Sequence, residues 1–111
     1  MPADNQAQAR VQELLKKLWE QHKGTILERL DELERASAAA AELSKSARAE
    51  ACSVAHKLAG SLGTFGYRQG SDWARSSEHI LLQPQISSDD QRQLQQNAQN
   101  IRSLIESGQT E

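Results

Sequence analysis

His56 is the side chain in this sequence best placed to do chemistry, and Cys52, one helical turn before it, is its nearest reactive neighbour. An unperturbed imidazole has a pKa of about 6.5, so at neutral pH most rings are uncharged and one nitrogen keeps a lone pair able to attack phosphorus. Phosphoryl transfer also needs in-line positioning and charge neutralisation, usually by Mg²⁺ with a Lys or Arg. The sequence around His56 has no carboxylate cluster and no phosphate-binding glycine loop opening a helix. The activating groups, Mg²⁺ included, must therefore come from a partner. Metal binding is the other chemistry that a Cys52–His56 spacing of four allows. A site needs three or four ligands, and neither His22 nor His79 converges on that pair in the sequence pattern, so no metal is expected.

The elements that must carry these residues read as helices throughout. Pro occurs only at positions 2 and 84, glycine is concentrated between Gly60 and Gly70, and no alternating β-branched run exists. Val11, Leu14, Leu15, Leu18, His22, Ile26, Leu30 and Leu33 recur at spacings of three and four, which predicts one long apolar-striped helix, or a pair joined by a kink at Gly24. Ser37, Ser44 and Ser46 place a turn in that region. A helix over residues 46–63 buries Ala47, Ala51, Val54, Ala55, Leu58 and Leu62. Another follows over 67–82 and stops before Pro84. Ser88-Asp89-Asp90-Gln91 has the form of a capping box for the last helix, which offers Leu94, Ala98, Ile101, Leu104 and Ile105. Helices with one apolar stripe each and short connections bury those stripes only against one another. The expected fold is all-α, an antiparallel four-helix bundle with an additional N-terminal helical segment.

At about 100° per residue, His56 falls about 180° from Ala47 and faces water. Its neighbours on that face are small: Ala49, Cys52, Ser53, Gly60 and Gly63. Each glycine costs a helix roughly 0.5–1 kcal/mol relative to Ala. A side chain at Gly60, one turn on, would sit over the ring, so a flat patch kept clear for a docking protein is the physical reason for glycine there.

The run Ala55-His56-Lys57-Leu58-Ala59-Gly60-Ser61-Leu62-Gly63-Thr64-Phe65-Gly66 resembles the signature of histidine-containing phosphotransfer (HPt) domains, with Leu two residues after the histidine, Gly four after, and Gly near the helix end. The resemblance implies a four-helix bundle in which His56 accepts a phosphoryl group from the aspartate of a response-regulator receiver domain and passes it to another receiver. It implies Lys57 as the basic neighbour of the phosphoryl group, and docking of the receiver over Cys52, Ser53, Lys57, Gly60, Gly63 and Thr64. Receivers, and a hybrid sensor histidine kinase, are the implied partners, and the domain has no kinase activity of its own. One departure stands out: many members carry Lys three residues after the histidine, where this chain has Ala59. A helical adaptor that binds receivers or a kinase without being phosphorylated is the alternative from another class.

With 111 residues, the chain supports one domain with one core, expected as a single unit over 1–111 with an ordered core of about 6–107. With a net charge of −2 and no basic block, nothing suggests a nucleic-acid or anionic-membrane footprint. The single Cys52 cannot form an internal disulfide, Ile80-Leu81-Leu82 is far short of a membrane span, and the N-terminus lacks a signal pattern, so a cytoplasmic monomer is expected. Trp19 and Trp73 read as core or core-edge residues, His22 as packed near Trp19 and Ile26, and His79 as solvated beside Glu78. Asp31 and Arg35 read as an attractive i,i+4 pair.

Overall fold

Four stretches have helical spacing of apolar residues, and each becomes one helix. The computed structural model describes residues 2–108, with side chains from residue 5. Its elements are α1 (Pro2–Ala38), α2 (Lys45–Thr64), α3 (Arg68–Leu81) and α4 (Ser88–Ser107), with a single 3₁₀ turn at Ala40–Glu42 between α1 and α2. No strand occurs among the described residues. Helix α2 packs on α1 and α3, and α4 packs on α3 and α1, which closes a ring of four. Inside it lie Ile26, Leu30 and Leu33 of α1, Leu58 and Leu62 of α2, Ala74 and Leu81 of α3, and Leu94, Ala98 and Ile101 of α4, all at most 2% exposed. Each large apolar side chain so buried contributes about 1.5–3 kcal/mol.

Local signals set the ends. Ser44 caps α2, its Oγ accepting from the Ala47 N–H at 3.0 Å. At the other end Gly66 takes the left-handed conformation (φ 86°), while the Tyr67 N–H donates to the Leu62 carbonyl (2.8 Å) and the Gly66 N–H to that of Gly63 (3.2 Å). This pattern satisfies the last carbonyls and reverses the chain into α3. The capping box of α4 begins one residue earlier than the sequence pattern suggests. Ser87 is the cap and Asp90 closes the box, because Asp90 reaches back to the Ser87 N–H (3.1 Å) while Ser87 Oγ accepts from the Asp90 N–H (3.0 Å).

Several expectations change. Gly24 does not divide the first helix, which runs unbroken for 37 residues, and the additional N-terminal segment is the front of α1 itself. At about 1.5 Å per residue, α1 spans the molecule's 56 Å length, whereas the 20-residue α2 and α4 reach about 30 Å. The early part of the stripe therefore has nothing to pack on, and Val11 and Leu14 remain 56% and 57% exposed. His22 is exposed too. Trp19 does the packing there, its ring 5.4 Å from Phe65 edge-on and 5.1 Å from Tyr67, while His22 lies only 6.3 Å from Phe65. Asp31 pairs with Arg102 of α4 rather than with Arg35, and Glu34 joins the same guanidinium. Hydrogen bonds to Glu34 first, and then to Asp31, hold the Arg102 guanidinium above its ordinary pKa.

Candidate functional site

On α2, Ala51, Ala55, Ala59 and Gly63 recur every fourth residue, and α3 answers with Gly70, Ser71 and Ala74. Small side chains on both helices let the backbones approach closely. The Ser71 hydroxyl crosses the seam to the Ala59 carbonyl at 2.8 Å, and the Cys52 thiol lies 3.8 Å from the Glu78 carbonyl. Leu58 and Leu62 are the large side chains that α2 buries, beside Ala51, Ala55 and Ala59; Ala47 and Val54, expected in the core, are half-buried. The buried arc of α2 is thus turned toward α3 relative to the expected stripe. His56 stands at the rim of the α2–α3 seam rather than opposite the core.

That placement brings His56 to a carboxylate. The imidazole side chain is 75% exposed, and its Nδ1 lies 2.8 Å from Oε2 of Glu78, which is 22% exposed. With Glu78 ionised the carboxylate only accepts, so a neutral ring bonded to it carries its proton on Nδ1 and keeps the lone pair on Nε2, on an otherwise open surface.

The residues expected at the docking face divide into two groups. Ser53, Lys57, Gly60 and Thr64 are exposed on the side of α2 away from α3. Lys57 and Gly60 line a groove of about 550 Å³ between α1 and α2, together with Arg29, whose Nη1 donates to Ser61 Oγ at 3.2 Å. The Thr64 hydroxyl donates to the Gly60 carbonyl at 2.9 Å. A Cβ at Gly60 would meet nothing within 4 Å. Cys52 and Gly63 border the seam, and Gly63 is exposed at its edge. Cys52 is half-buried, and burial first, then the Glu78 carboxylate, push its thiol above the ordinary range. A Cβ on Gly63 would meet Ser71 Oγ at 3.4 Å. Ala59, which replaces a frequent lysine, is 4% exposed against α3.

Two site residues lie far from the motif in sequence. Glu78 is 22 positions away and enters the sequence reading only as the neighbour of His79, which is exposed as expected. The signal for it is the phase of α3: Ser71, Ala74, Glu78 and Leu81 form a three-four stripe, in which Ser71 and Glu78 both meet α2. Arg29 follows the same logic on α1, one turn from Ile26 and Leu33.

Among the described residues, no group of three His, Cys, Asp or Glu side chains gathers to hold a metal ion, and no helix is long and apolar enough to cross a membrane. No curated protein and no solved structure matches the chain significantly. A family model, Hpt domain, matches residues 17–107, which include the whole of α2, α3 and α4 and the part of α1 that packs in the bundle. The chain therefore belongs to the Hpt domain family, phosphocarriers rather than kinases, whose members take part in phosphotransfer in two-component systems through contacts with receiver domains and kinases.

Proposed function

We propose that His56 is the phosphoryl carrier, accepting the group from a receiver-domain aspartate and passing it to another receiver. The observation that supports this most is the state of the ring: exposed, with Nδ1 bonded to Glu78 at 2.8 Å and Nε2 left as the nucleophile. In the step itself the Nε2 lone pair forms the N–P bond as the acyl-phosphate P–O bond breaks, and that electron pair leaves with the receiver's carboxylate. Mg²⁺ belongs to the receiver's own acidic site and supplies charge neutralisation there. Lys57 and Arg29, the cations of the groove beside Gly60, add positive charge on the side of approach. The receiver docks over Ser53, Lys57, Gly60 and Thr64, whereas Cys52 and Gly63 shape the seam that holds Glu78 in place. The encounter needs one His56 and a contact at the small end of the usual range, roughly 1,200 Å² or less, which a monomeric carrier provides.

The test is to incubate the chain with a panel of phosphorylated receivers and Mg²⁺, beside His56→Gln. Acid-labile, alkali-stable phosphate should appear on the wild type and be absent from the variant, with helical content unchanged. Label retained by His56→Gln would move the site elsewhere. A folded wild type that takes label from no receiver would favour an adaptor that binds without being phosphorylated.

A further inference from the structure

Where α1 runs out beyond the bundle it keeps its apolar stripe. Val11, Leu14 and Leu15 are exposed, and Leu18 is half-buried. Leu18 also lines the groove between α1 and α2, together with Thr64 and Phe65, so the stripe continues in the line of α2, which ends at Thr64. The open face has the shape that one more helix, laid end to end with α2, would cover. The family match begins at residue 17, so Val11, Leu14 and Leu15 stand outside the part of the chain that the family shares.

Charge decides which helix fits. At about 100° per residue, Arg10 and Lys17 stand along one flank of the stripe, about 90–110° from its centre, and both are exposed. Glu13 and Glu20 lie on the far side of α1, about 150–170° from that centre. Gln8 and Gln12 occupy the other flank, so no carboxylate borders the stripe between residues 5 and 23. A second copy fits poorly. The end of α2 blocks a parallel pair, and an antiparallel pair sets like flanks together, with Arg10 and Lys17 of one copy against Lys17 and Arg10 of the other. Distance excludes a partner seated on His56. Arg29 of α1 touches Ser61 of α2, and counting about 1.5 Å per residue from that contact puts Val11 about 35 Å from His56 along the bundle axis. A domain of about 100–150 residues has a radius of gyration of about 13–15 Å, so one centred on His56 does not reach the front of α1.

We propose that the front of α1 is a docking strip for an amphipathic helix of a partner protein, one with an apolar stripe and acidic flanks. The helix packs on Val11, Leu14, Leu15 and Leu18 and sets its carboxylates against Arg10 and Lys17. It leaves the His56 face open, so this partner and a receiver bind at once, and the strip does not depend on His56 being the carrier.

The test uses the full chain and a synthetic three-heptad peptide with Leu at a and d and Glu at e and g, beside a twin with Lys in place of Glu. The Glu peptide should move the amide resonances of residues 10–18 and leave those around His56 in place. It should bind about tenfold more tightly than the Lys twin at low salt, a gap that closes at high salt. Leu14→Glu should abolish binding with the thermal melt unchanged, since Leu14 is exposed. Arg10→Glu combined with Lys17→Glu should reverse the preference between the two peptides. Failure of the Glu peptide to bind, equal affinity for the twins, or shifts away from residues 10–18 would overturn the proposal. Two competing occupants would overturn it as well: a chain whose mass doubles in sedimentation and reverts in Leu14→Glu assigns the strip to a second copy, and phosphatidylserine vesicles that displace the Glu peptide assign it to a membrane surface.

Discussion

Gly60 offers a test in which stability and function move in opposite directions. A Cβ there meets nothing within 4 Å, so no part of the fold requires glycine at that position. Placing Ala in this helix interior removes a propensity penalty of about 1 kcal/mol. In a domain of this size that corresponds to a rise in Tm of about 4 °C. Gly70 provides the contrast, since its Cβ would stand 3.3 Å from both Leu104 Cδ2 and Leu62 Cδ1. Leu62 is fully buried and has little room to give. Overpacking of that kind costs about 1–3 kcal/mol, enough to outweigh the propensity gain and lower Tm. Thermal melts of the two Ala variants should therefore shift in opposite senses. Transfer from a phosphorylated receiver should then slow in Gly60→Ala despite its greater stability, and should fall at least about tenfold in Gly60→Glu, which sets a new negative charge against an acidic receiver site. Two results would refute the reasoning: a Gly60→Ala protein less stable than wild type, or a Gly60→Glu protein that transfers at the wild-type rate.

Other consequences concern the frame around the site. Leu58 is fully buried two residues after His56, and Leu58→Ala should cost about 2–5 kcal/mol in urea unfolding, with a change of about 1 kcal/mol or less counting against its central place. Asn97, 1% exposed, donates to Ser76 Oγ at 3.2 Å and Ser77 Oγ at 3.1 Å and accepts from Gln93 at 2.9 Å. Asn97→Ala should lose about 1–3 kcal/mol, read by the same unfolding curves. The Cys52 thiol is held protonated by burial and by the Glu78 carboxylate, so iodoacetamide should label it several-fold more slowly at pH 8.5 than the urea-unfolded chain, and Glu78→Gln should narrow the gap. The sign for stability follows from the raised value: the folded chain binds this proton more tightly, so the contribution is complete below the unfolded thiol's ordinary range and is lost as pH rises through and above it.

Much of the molecule could be read along the chain because its cues are local. The phase of Leu58 and Leu62, the stop at Gly66 and Pro84, and the serines before α2 and α4 each act within one or two turns. The expected bundle, and the exposure of His56, depend on such cues and agree with the structure. Errors arose where a neighbour far away in sequence decided the outcome. Val11 and Leu14 repeat at the same spacing as Leu30 and Leu33, yet only the latter meet other helices, because α2 and α4 are too short to reach the front of α1. Asp31 has Arg35 one turn away, but Arg102 across the bundle presents a guanidinium to it and to Glu34 at once.

The sequence by itself determined an all-helical chain and one accessible imidazole followed one turn later by a glycine, because periodicity, propensity and motif spacing are properties of short windows. What only the tertiary structure decided is the carboxylate that this imidazole meets. The Ala51-Ala55-Ala59-Gly63 seam draws α3 in until Glu78 reaches Nδ1, and the approach of two helices depends on the side chains of both, which no window around His56 contains.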